Sequence, residues 1–294
     1  MLGYLFILIT VLLNVSKGGC SKRVSTQLEC TADNINLCFV RNFVCVIIGA
    51  AILLFGGIGF SMPAAGWLVC VFSGISMTVN YIVWLMALKG DAYMLANTAN
   101  TASFVIAAIC GVTVFEERIS IAKLAAFLLI MIAMYFMIRY QTKLYTKPSL
   151  RDFMLLAAVF VTAGTNSVCQ KLFTFYVKGF SVNLFTFYTF AISCISLAVM
   201  RPFFKGNVAA AGQAGKLAKL MPYILFMGAA LYGATFFQSE ATKLVDTLVL
   251  YPLNSALSVL GAGVMAWIFF SEKPSKDSVT GAAFVLAALV LSKF

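Results

Sequence analysis

The stretch VFEERIS, Val114–Ser120, closes one long apolar run, and FFSEKPS, Phe269–Ser275, closes another. The two phrases are 155 positions apart, and the correspondence runs well beyond them. Residues 91–120 align with 246–275 without a gap, and seven of the thirty positions are identical, among them Asp91 with Asp246, Ser103 with Ser258, Phe115 with Phe270 and Glu117 with Glu272. At an offset of 154, Gly74 meets Gly228 and Ala87 meets Ala241. At 149, Cys20-Ser21-Lys22 meets Cys169-Gln170-Lys171. Four collinear patches point to one structural unit written twice.

What kind of unit follows from the composition. Of 294 residues, 62% are hydrophobic and only 11% are charged, whereas a soluble domain carries about a quarter charged residues. Such a chain cannot cover itself with a water-facing surface. Its apolar residues fall into ten blocks: 2–21, 35–56, 65–88, 92–115, 119–138, 152–174, 181–200, 221–242, 246–270 and 278–293. Most are about 20 residues long, as a helix crossing the hydrocarbon core requires. The expected fold is an all-α integral membrane protein of ten transmembrane helices. Neither of the long gaps, 139–152 and 201–220, is large enough for a soluble core, though GQAGKLAK in the second has the composition of a short interfacial helix. The first block lacks the basic start and the small-residue cleavage site of a signal peptide, and is expected to be a retained helix.

The duplication divides the chain into residues 1–140, a connecting loop at 141–150, and residues 151–294. Five helices per unit is an odd number, so the second copy enters the membrane from the opposite side to the first. The expected architecture is therefore an inverted repeat, as in many secondary transporters. Cys38, Cys45, Cys70, Cys110, Cys169 and Cys194 lie inside apolar blocks, where they act as small hydrophobes, and Cys20 and Cys30 are nearer a loop. The chain has no histidine, which removes histidine-based metal sites and catalytic triads. Neither a metal nor a cofactor is expected, and the acidic residues at helix ends offer no enzyme site.

With these motifs in place, the chain resembles the drug/metabolite transporter superfamily, in its EamA-like branch. The likeness rests on ALKGDAYML followed by VFEERIS, and on EATKLVDTLVLYP followed by FFSEKPS. It also rests on a lysine near the end of each unit's first helix, Lys22 and Lys171. The resemblance implies a ten-helix transporter covering the whole chain. Two positions depart from it. The family's frequent Trp-Gly is Asn14-Val15 in the first unit and Ala163-Gly164 in the second, and its mid-helix proline is Asn97 in the fourth helix, although Pro252 keeps it in the ninth.

Polar side chains inside a bilayer mark pathways or helix contacts. Asn97, Asn100 and Ser103 recur every three residues along the fourth block; Asn80, Tyr81 and Trp84 share a face of the third. Gln238 corresponds to Trp84 in the second unit, and Asn254 adjoins the counterparts of the asparagine stripe. These residues are expected to wall a substrate cavity at the repeat interface, although amides and hydroxyls also serve as glue between packed helices. Lys17 lies roughly 7 Å inside the end of the first block by helical rise. It either snorkels to the interface or enters the cavity with Asn14 and favours an anionic group. Asn166 is its counterpart. Arg41 is similarly deep, and the family resemblance implies a structural role for it. Pro252 breaks a backbone bond in mid-helix and is the expected hinge. Glu240, three residues from Lys243, is the candidate for proton coupling. Glu117 and Glu272 fall at helix-to-helix turns and read as architectural, with Ser120 and Ser275 capping the next helices.

The formal charge of +11 concentrates in the loops around 139–151 and 201–219. The positive-inside rule puts those loops in the cytoplasm and both termini outside; the resemblance implies the reverse. The charge is explained by topology and membrane lipid, and no nucleic-acid partner is expected. The function expected is secondary transport of a small polar metabolite, an amino acid or related compound, with export across a bacterial plasma membrane as the direction. A sugar or phosphate-ester exchanger is the alternative, and would need more cavity cations than the sequence lets one place. A channel or a purely structural membrane protein also stays open, as does a homodimer.

Overall fold

In the computed structural model the described residues are 2–25, 31–88, 99–117, 120–142, 150–204, 210–270 and 276–291, and among them no strand occurs. The helices are α1 (Leu2–Ser25), α2 (Thr31–Phe55), α3 (Ala64–Leu88), α4 (Phe104–Thr113), α5 (Ile121–Thr142), α6 (Leu150–Tyr176), α7 (Val182–Met200), α8 (Ala210–Ala241), α9 (Thr247–Phe270) and α10 (Lys276–Leu291). Among the described residues, seven helices (α1, α2, α3, α6, α7, α8 and α9) are long and apolar enough to cross a membrane; shorter apolar stretches lie on α4, α5 and α10. A helix satisfies most of its backbone groups within its own segment, as a bilayer demands.

Two boundaries differ from the hydropathy blocks. The fourth block is not one unbroken helix: residues 99–102 are helical, a turn falls at Ser103, and α4 resumes at Phe104. Ser103 Oγ donates to the Asn100 carbonyl at 2.6 Å, offering that carbonyl a side-chain partner in place of the regular ladder. The GQAGKLAK segment is not a separate interfacial helix but the first turns of α8, which continues through Pro222.

Helices pair mostly across the two halves of the chain. α1 lies against α8 and α9, and α6 lies against α3 and α4; α2 packs on α7 and α8, α3 on α7, α4 on α9, and α5 on α10. Small residues permit the closest of these approaches. A Cβ at Gly74 would meet Ile192 Cβ at 2.7 Å and the Thr189 carbonyl at 2.9 Å; a Cβ at Gly228 would meet Val44 Cγ1 at 2.7 Å. The two glycines paired by the sequence repeat thus serve matching seams, α3 on α7 and α8 on α2. Gly74→Ala must push against a backbone carbonyl, so it is expected to lower stability by about 1–3 kcal/mol, read as a fall in unfolding temperature in detergent. An unchanged temperature would mean that this seam tolerates a looser fit.

Between the seams, Asn42 Nδ2 donates to Ser193 Oγ at 3.0 Å, and Thr78 Oγ1 lies 3.0 Å from the same oxygen. This buried cluster ties α2, α3 and α7 together. At one end of the bundle the turns gather. Gly3 at the start of α1 sits against Leu244 and Val245 in the α8–α9 turn, and Tyr188 OH donates to the Phe60 carbonyl in the α2–α3 loop at 2.7 Å.

Candidate functional site: a polar cavity between the two halves

A cavity of about 250 Å³ lies where α1, α3 and α4 meet α6, α8 and α9. Each wall follows helical periodicity. α1 presents Asn14 and Lys17; α6 presents Ala163, Asn166, Ser167 and Gln170; α8 presents Leu231, Ala234, Thr235 and Gln238; α9 presents Tyr251, Asn254 and Ser255. α3 contributes Asn80, and the broken fourth segment contributes Asn100, Ser103 and Phe104. A larger recess of about 500 Å³ adjoins the α6–α7 turn near Lys178 and Lys243. Its lining has no converging amides, and the central cavity is the better candidate.

The hydrogen bonds sort the lining side chains. Lys17 Nζ donates to Asn14 Oδ1 at 3.1 Å. α1 continues to Ser25, but its apolar span ends at Ser21, so Lys17 keeps the depth that the hydropathy block implies. Asn80 is committed to α6, donating to the Val159 carbonyl at 3.2 Å and to Thr162 Oγ1 at 3.0 Å. Asn166 Oδ1 accepts from Ser73 Oγ at 3.4 Å. Tyr251 OH donates to the Ser167 carbonyl at 2.5 Å and lies 3.4 Å from Gln170 Oε1. Asn254 Oδ1 is buried without a partner. The cavity therefore offers an ammonium, amide donors and at least one vacant acceptor, and no carboxylate is among its lining residues.

Tyr81 and Trp84 are not in this lining. They pack with Ile35, Cys38 and Leu197, and the Tyr81 ring lies 4.9 Å beneath the Arg41 guanidinium. The reason is angular. Asn80 and Tyr81 are consecutive on α3 and point about 100° apart, so a helix that gives Asn80 to α6 turns Tyr81 toward α2 and α7. Asn97 lies outside the described residues. Glu240 is not in the lining; it pairs with Lys243 at 2.8 Å near the α8–α9 turn. Pro252 is buried inside α9, between the lining residues Tyr251 and Asn254. Ser167, Gln170 and Tyr251 are additions to the expected lining, although each lies within one turn of a residue that the sequence places there.

Residues 1–139 match the sequence profile of the EamA-like transporter family. Over these residues, a little under half of the chain, the sequence is similar to that family. The EamA-like family is in turn part of the drug/metabolite transporter superfamily. No curated protein matches the chain. A solved crystal structure is similar in fold, with a TM-score of 0.79 and 15% identity, covering 99% of this chain and 96% of that one.

The EamA-like segment includes VFEERIS, and the structure shows what this phrase does. Glu116 takes a positive φ of 51°, and Glu117 follows it into the bundle. Glu117 Oε2 accepts from Thr247 N at 2.8 Å and from Thr247 Oγ1 at 2.5 Å, while Oε1 lies 3.0 Å from Lys171 Nζ. Lys171 also donates to the Thr242 carbonyl at 2.9 Å, and Thr174 and Thr242 hydroxyls meet at 2.8 Å. So a carboxylate from the α4–α5 turn caps α9, where the helix dipole favours an anion, and pairs with the last turns of α6. Asp246, the nearer acid in sequence, instead pairs with Lys123. Ser120 Oγ accepts from Lys123 N at 3.2 Å and caps α5. Gln170 and Tyr251, in the cavity wall, lie within a turn of Lys171 and Thr247 respectively. The cluster thus lies about a turn from the cavity wall along α6 and α9.

Proposed function

We propose that the chain is a secondary transporter of ten helices in two inverted five-helix repeats, which carries a small polar metabolite across a bacterial plasma membrane by alternating access. The observation that carries this reading is the central cavity, polar in an apolar bundle and walled by helices of both halves. The packing supports the repeat: α1 rests on α8 as α6 rests on α3, the exchange that a twofold relation between residues 1–140 and 151–294 requires. The family supports transport in general. Amides and one lysine suit an amino acid or related compound, with export as the direction, and Pro252, between lining residues of α9, suits a hinge.

The test is flux of a labelled amino-acid panel in proteoliposomes, with and without a pH gradient. Saturable uptake with counterflow is the expected outcome, and Lys17→Ala should reduce kcat/KM at least tenfold, equivalent to about 1.4 kcal/mol. Flux rising linearly with concentration would indicate a channel instead. Gradient dependence would bring Glu240→Gln forward as the next variant.

A further inference from the structure

Two groups in the cavity wall lack the partner their chemistry asks for. Among the described residues no carboxylate pairs with Lys17, and none lines the cavity. Asn254 is only 9% exposed, and its Oδ1 is buried without a partner. An unpaired ammonium within a membrane helix is costly, and so is a buried acceptor left without a donor. A ligand that brings an anion to Lys17 and an N–H or O–H to Asn254 relieves both.

The packing of α1 on α9 sets how far apart those two groups are. Val15 packs against Gly261, and Met265 against Gly19. The two helices therefore run in the same direction, with an offset of 246 at both contacts (261 − 15 and 265 − 19). Asn14 is then level with Leu260, six residues beyond Asn254 (260 − 254), or roughly 9 Å by rise per residue. The Lys17 ammonium is held at that level by its 3.1 Å hydrogen bond to Asn14. A hydrogen bond at each end spans about 2.9 Å, which leaves roughly 3 Å for the ligand itself. With bonds of about 1.5 Å, that is the reach from a carboxylate oxygen to an amino or hydroxyl group on the adjoining carbon. A bare carboxylate leaves Asn254 unpaired, and a long ω-amino acid overshoots it. The cavity, at about 250 Å³, is also smaller than the roughly 300–1,000 Å³ of sites for drug-sized ligands.

Resting on the transporter reading, we infer that the substrate is a short α-amino or α-hydroxy acid held lengthwise between α1 and α9, its carboxylate on Lys17 and its amino or hydroxyl group on Asn254 Oδ1. Asn254 thereby determines specificity, because a site built around a hydrogen bond rejects the analogue that lacks it. The orientation is single. In the second half Asn166 stands at the position of Lys17, and its Oδ1 already accepts from Ser73, so the carboxylate has one charged end to go to.

The experiment uses the full chain in proteoliposomes with five labelled solutes: alanine, lactate, propanoate, alaninamide and 6-aminohexanoate. kcat/KM for alanine or lactate should exceed that of each of the other three at least tenfold, and the alanine-to-lactate ratio tells which donor the site prefers. Asn254→Leu should bring the preference over propanoate close to unity, whereas Asn254→Asp, which keeps an acceptor, should retain it. Lys17→Gln should likewise erase the preference for alanine over alaninamide. Propanoate, alaninamide or 6-aminohexanoate carried as well as alanine and lactate overturns the inference and leaves the transporter standing. An unchanged ratio in folded Asn254→Leu overturns it too, since the donor is then read elsewhere. So does an absence of saturable flux for all five in protein that carries another labelled metabolite. No saturable flux for any metabolite, in folded protein, removes the transporter reading and this one with it. The first panel is run on the unsubstituted chain, so its outcome does not depend on any variant folding.

Discussion

Glu117→Ala is expected to destabilise the protein by about 3–5 kcal/mol, the cost of breaking one partner out of a buried ion pair. Glu117 and Lys171 side chains are only 8% and 12% exposed, so water does little to screen the charge left behind. Lys171 would keep one acceptor, the Thr242 carbonyl, and the Thr247 N–H and O–H would both lose theirs. The companion prediction separates charge from packing. Glu117→Leu combined with Lys171→Met removes both charges, and replacing a buried pair by apolar groups is often close to neutral. The double variant should therefore recover most of the loss, short of the missing cap on α9. Denaturant unfolding in detergent, run as a double-mutant cycle, measures the coupling. A loss below about 1 kcal/mol for Glu117→Ala would put this pair with exposed ion pairs and deny it a structural role.

Gly111→Ala should do comparable damage without touching a charge. A Cβ there would overlap Thr247 Oγ1 outright and fall 2.9 Å from Glu117 Oε2. Thr247 sits at the first turn of α9 and cannot swing aside without surrendering its bond to Glu117. Overpacking alone costs about 1–3 kcal/mol, and the broken cap adds about 1 more. The same substitution at Gly263, where a Cβ meets nothing within 4 Å, should be neutral or slightly stabilising, since alanine is the better helix former. Combining Gly111→Ala with Glu117→Ala should cost far less than the two separately, because each dismantles the same cluster. Full additivity would show that the glycine and the carboxylate act independently.

How much of this can be read from the residues alone depends on whether the signal is local. Apolar blocks are local, and they locate the helices to within a few residues, except where Ser103 divides the fourth and where α8 begins at Ala210, eleven residues ahead of its block. The polar stripes are nearly so: Asn14, Lys17, Asn80, Asn100, Asn166, Gln238 and Asn254 do converge on one cavity. Tyr81 and Trp84 go elsewhere because a helix with polar groups on two faces does not say which face its neighbour takes. Glu117 reads as a turn residue; its partners Lys171 and Thr247 come from two other helices of the other half, and nothing in the heptapeptide names them.

The pairing of α1 with α8 bears on how the protein is made. α1 ends at Ser25 and α8 begins at Ala210, so at about 5–20 residues per second the first helix waits roughly 10–40 seconds for its main partner to leave the ribosome. During that interval Asn14 and Lys17 have no cavity to face, and Lys17 must be sheltered by the insertion machinery, by bound water or by the polar margin of the bilayer. α3 waits in the same way for α6, though for less time. Assembly is thus a late event in biogenesis, and a chain interrupted before α8 leaves a lysine-bearing transmembrane helix stranded in lipid, a natural target for membrane quality control.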